Sequence, residues 1–63
     1  MKAYLYKGYL FTIEQSKVNA AYICKCEHAL TILKQTYIGY NLNEVKKLFT
    51  NLINQTNFYT NEI

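Results

Sequence analysis

The sequence predicts a small α+β domain, an antiparallel sheet of three to four strands covered by one C-terminal helix. Three observations carry that expectation. Residues 3–14 are dominated by Tyr, Leu, Phe, Thr and Ile and are broken only by Lys7-Gly8, the pattern of a β-hairpin. Asn41 stands three residues before Glu44 in capping-box spacing, and Leu42, Val45, Leu48, Phe49, Leu52 and Ile53 follow at helical intervals. A chain of 63 residues holds one small core, because a domain of that size buries only about 60 % of the surface its unfolded form exposes.

With Lys7-Gly8 as a two-residue turn, Tyr6 pairs with Tyr9 and Tyr4 with Phe11. One face of the hairpin then carries Tyr4, Tyr6, Tyr9, Phe11 and Ile13, and the other Ala3, Leu5, Leu10, Thr12 and Glu14. Lys resists positive φ, so a bulged turn that shifts this pairing is the alternative register. Gln15 to Asn19 is polar and suits a connection to a third strand near residues 20–27. There Tyr22, Cys24 and Cys26 share one side, while Ala21, Ile23, Lys25 and Glu27 share the other. Glu27-His28-Ala29 would reverse the chain into a fourth strand near residues 30–38.

A rival reading replaces those two strands with a helix over residues 17–38, leaving a hairpin plus two helices (17–38 and 42–54). No Gly, Pro or Asn interrupts residues 20–38, and Asn19, Ile23, Cys26, Leu30, Leu33, Tyr37 and Tyr40 recur at alternating steps of four and three. Ser16 would cap its start and Gly39 its end. Against it stand β-branched and aromatic residues together with Thr31, Thr36, Cys24 and Cys26, all weak helix formers. The last element runs from Leu42 to about Asn54. Residues 1–54 therefore form a single domain, and residues 55–63, which lack periodicity, form a poorly ordered tail.

Composition narrows the function classes. The chain is 51 % hydrophobic and 17 % charged, which excludes intrinsic disorder. Apolar runs fall well short of the roughly 18 residues that span a bilayer, and the first eight residues resemble neither a signal peptide nor an anchor. The expected compartment is the cytoplasm, with Cys24 and Cys26 as thiols. Lys supplies every basic residue and Glu every acidic one, and Asn and Tyr are abundant, a usage expected of an AT-rich bacterial or phage genome. The formal charge of +3 is spread along the chain and permits only weak attraction to acidic partners.

Cys24-x-Cys26-x-His28 is the one arrangement resembling a metal or reactive site, because on a strand the three side chains point the same way. Zinc requires four converging ligands, and a fourth would have to come from Glu27, Glu44 or a second subunit. Cysteines one residue apart are also poorly placed for a disulfide, so buried thiols are the expected role. The four glutamates lie in separate segments and there is one serine, so no catalytic constellation forms and no enzyme activity or cofactor is expected.

One helix covers one sheet face, so the other remains open. With the aromatic face under the helix, Leu5, Leu10 and Ile23 would lie open beside Thr12 and Lys25, an apolar patch that marks association. The expected function is a small non-enzymatic regulatory or protein-binding module, an accessory or inhibitor protein, that pairs with itself as a homodimer or with another protein. Its contact residues are expected among Tyr4, Leu5, Tyr6, Lys7, Tyr9, Leu10, Ile23 and Lys25. The competing expectation is a sheet-based nucleic-acid binder, in which tyrosines stack bases beside lysines; the absence of Arg weighs against it. No membrane partner is expected.

The order of a strand at Tyr22 to Glu27, a short return, and a helix opening at Leu42-Asn43-Glu44-Val45 resembles that of small HicB-type antitoxins over the middle of the chain. That family carries a Pro-Gly-Cys turn where this sequence has Glu27-His28-Ala29 and no proline anywhere, and the resemblance implies no function or site residue here.

Overall fold

The computed structural model describes residues 1–28 and 30–56. Four strands, β1 (Lys2–Tyr6), β2 (Tyr9–Gln15), β3 (Tyr22–His28) and β4 (Thr31–Tyr37), precede one helix, α1 (Leu42–Gln55). The strands form an antiparallel meander in the order β1-β2-β3-β4, and α1 lies across one face. This is the α+β architecture expected from sequence. The tail expected beyond the helix falls, from residue 57 onward, outside the described residues.

The first hairpin has the two-residue turn. Lys7 and Gly8 both adopt positive φ, 50° and 84°, as a type I′ connection requires, and Tyr6 pairs with Tyr9 and Tyr4 with Phe11. Lysine tolerates that conformation because the turn's twist matches the strands it joins. The bulged alternative is not adopted.

In place of the rival helix, Tyr22–His28 and Thr31–Tyr37 are strands. β3 starts at Tyr22, two residues later than expected, because Ala20 and Ala21 belong to the preceding loop. That loop is closed on itself: the Ser16 N–H donates to the Ala21 carbonyl at 2.8 Å and the Ala20 N–H to the Ser16 carbonyl at 3.1 Å. Asn19 Oδ1 accepts from the Ala21 N–H at 3.2 Å, a side-chain-stabilised turn that leaves Ala20 at φ 59°. β4 covers Thr31–Tyr37, one residue shorter at each end than expected, and His28 pairs with Thr31 across another tight reversal.

The capping box at the start of α1 is complete. Asn41 Oδ1 accepts from the Glu44 N–H at 2.9 Å, and the Asn41 N–H donates to Glu44 Oε1 at 3.0 Å. The core lies between helix and sheet, with Val45, Phe49 and Ile53 of α1 on Phe11, Ile13, Cys24 and Cys26. Small thiols at the centre of the sheet leave room for Phe49, whose ring centroid is 5.4 Å from that of Phe11.

Candidate interaction surface

Antiparallel pairing sets which side chains share a face. Phe11 pairs with Cys26 and Ile13 with Cys24, while Cys26 pairs with Leu33, so these residues all lie under α1. The intervening residues form the opposite face, which no helix covers among the described residues. Across the sheet they fall into neighbouring rows: Leu5, Leu10, Glu27 and Ile32 make one, and Ala3, Thr12, Lys25 and Lys34 the next.

That face is open and carries large apolar side chains among its charged ones. Leu5 is 73 % exposed, and Leu10 and Ile32 are 60 % exposed each. A trough of about 540 Å³ runs along it, lined by Leu10, Thr12, Ile23, Lys25 and Lys34 among others. Lys25 sits directly opposite Lys34, a like-charged cross-strand pair, and turns along its own strand to place Nζ 3.7 Å from Glu27 Oε2. Both partners of this ion pair are exposed, so it contributes little to stability.

The eight residues expected to form a contact surface divide between the two faces. Leu5, Leu10, Ile23 and Lys25 lie together on the open face. Tyr4, Tyr6 and Tyr9 lie on the helix side, each engaged within the domain. Lys46 Nζ stands 4.7 Å from the Tyr4 ring centroid, Asn54 Nδ2 donates to the Tyr6 hydroxyl at 2.7 Å, and Tyr9 meets the His28 ring edge-on at 4.7 Å. Lys7 lies in the first turn, donating from Nζ to Asn54 Oδ1 at 3.4 Å. Ile32 and Leu30 belong beside the open face and were not among the expected contacts. No Gly, Asn or Pro between His28 and Thr31 marks in the sequence the reversal that brings them there.

Cys24, Cys26 and His28 do point to one side of β3, as strand alternation requires. Both thiols are fully buried by α1. Burial raises the Cys24 pKa to about 11 and raises that of Cys26 as well, because a thiolate would lose its hydration. These are packed, protonated thiols rather than nucleophiles. Among the described residues no three Cys, His or Glu side chains are grouped to hold a metal ion.

No helix among the described residues is long and apolar enough to cross a membrane. No protein-family model, curated protein or solved structure matches the chain.

Proposed function

We propose that this chain is a non-enzymatic protein-interaction module of regulatory type that works through the helix-free face of its sheet. The observation that supports the reading is that Leu5, Leu10 and Ile32, in one row with Glu27, stand open on the sheet face that no helix covers among the described residues. Apolar groups at that density on one face are a recurrent mark of association. A core of seven buried residues among those described, in a domain this small, also gains more than a large one from a partner that binds only the folded state.

The nucleic-acid reading draws less support. Base stacking needs open ring faces beside cationic groups, whereas Tyr4, Tyr6 and Tyr9, although Lys46 and Lys7 stand 4.7 and 5.5 Å from the Tyr4 and Tyr6 rings, are half-buried against the core.

The test is affinity capture from the native host with the wild-type chain and with a Leu5→Glu, Leu10→Glu double variant, whose fold is checked by circular dichroism. The expected result is a defined protein retained by the former and lost by the latter. Fluorescence anisotropy against single- and double-stranded oligonucleotides runs beside it. Tight binding that weakens steeply with salt would favour the nucleic-acid reading instead.

A further inference from the structure

We infer that the helix-free face packs against the same face of a second copy, about a two-fold axis that crosses β3 between Lys25 and Glu27 at right angles to the strands. The inference rests on the reading of that face as a docking surface, and it adds which partner fits and how.

The fit follows from the two rows. An axis lying between them sets each row over the other row of the partner, so every contact occurs twice. Leu5 then lies over Ala3, Leu10 over Thr12, Glu27 over Lys25, and Ile32 along the stem of Lys34. Large side chains meet small ones, and the carboxylate meets the ammonium. Leu10 of each copy enters the trough of the other, which Thr12 and Lys25 line. The alternative axis, through the Lys25 row itself, would set lysine against lysine, so charge selects between the two.

Charge also suits self-pairing in sum. Among the side chains of this face Glu14 and Glu27 balance Lys25 and Lys34, although the chain carries +3. A second carboxylate over Lys25 would relieve its apposition to Lys34, which the 3.7 Å contact to its own Glu27 answers only loosely.

Leu30 adds an independent observation. It sits at φ 65°, a conformation unfavourable for leucine, and is 107 % exposed, so the domain alone returns nothing for a bulky apolar residue there. The same axis carries this turn toward the Ile23 end of the partner's face. Four strands about 4.8 Å apart and about 20 Å long offer roughly 800 Å² of total buried surface, the size of a weak, transient interface. The dimer, a sandwich of sheets about 10 Å apart, should therefore be weak, with a dissociation constant on the order of 100 µM.

Sedimentation equilibrium from about 1 µM to about 500 µM tests this directly. The wild-type chain should dimerise. Lys25→Glu alone and Glu27→Lys alone should each weaken the dimer about tenfold or more, because each sets like charges face to face twice. An equimolar mixture of the two variants should form a heterodimer of near wild-type affinity, since both charge pairs are then restored. Leu10→Ala should weaken association without any change of charge. A dimer indifferent to these substitutions, or charge variants not rescued by mixing, would place the contact elsewhere and overturn the inference. A chain that stays monomeric yet loses a captured host protein through Leu5→Glu, Leu10→Glu overturns the second copy while leaving the docking reading intact. A monomer whose captured proteins are unaffected by that double variant defeats both.

Discussion

The Phe49 ring of α1 packs 5.4 Å from the Phe11 ring of β2, tilted by 58°, and Tyr4 extends the cluster with its ring 5.4 Å beyond Phe11. The helix is thus joined to the first hairpin through aromatic contact directly above the two buried cysteines. With so small a core, this contact should dominate stability. Phe49→Ala should cost about 3–5 kcal/mol, comparable to the whole stability of a small domain, and the far-ultraviolet circular dichroism of the variant should be that of an unfolded chain at 25 °C. A variant with a urea midpoint near that of the wild type would contradict this account of the core.

The buried Cys24 thiol makes stability fall in alkali. Its folded pKa of about 11 lies above the ordinary value of 9.0 that the unfolded chain presents. Below pH 9 both states keep the proton and nothing is lost. Between pH 9 and 11 the unfolded state releases it while the folded state does not, so unfolding becomes easier by about 1.4 kcal/mol per pH unit. Cys26 shifts in the same direction and steepens the fall. Urea midpoints measured from pH 7 to pH 10.5 should show the decline, and Cys24→Ala, although less stable at neutral pH, should show a shallower one.

The same burial predicts slow thiol chemistry. A disulfide reagent at pH 8 should modify Cys24 and Cys26 only as fast as the domain opens, and should react at once in denaturant. Rapid modification of the native chain would mean that α1 does not stay closed over β3.

Asn41 and Glu44 satisfy each other's backbone donors at the start of α1, so Asn41→Ala should destabilise the domain by about 1 kcal/mol. Asn41→Ser, which keeps a side-chain acceptor at that position, should recover most of the loss in thermal denaturation.

Leu30 offers an opposed pair of effects. Leu30→Gly removes the cost of positive φ and should stabilise the isolated domain by up to about 1 kcal/mol. It also removes the apolar side chain that the two-fold axis brings toward Ile23 of the second copy. Dilute thermal melts should therefore rise while the dimer measured by sedimentation weakens.

By itself the sequence determined the local structure of this protein. Alternation in residues 3–14 and the Lys7-Gly8 turn set the first hairpin and its two faces, and Asn41 with Glu44 set where the helix begins. Both signals lie within a few residues of each other and need no distant partner. The half of the candidate surface on β1, β2 and β3, namely Leu5, Leu10, Ile23 and Lys25, was legible for the same reason. Tertiary structure decided residues 20–38, where Tyr22, Cys24 and Cys26 satisfy a period of two while Ile23, Cys26, Leu30 and Leu33 satisfy a helical one. What separates the two is the unpaired edge of β2. A strand can satisfy the backbone groups along it, pairing Phe11 with Cys26 and Ile13 with Cys24, and a helix cannot. Only that pairing lays the thiols beneath Phe49, and only the next reversal, unmarked by any turn residue, carries Ile32 to the open face beside Glu27, in the row of Leu5 and Leu10.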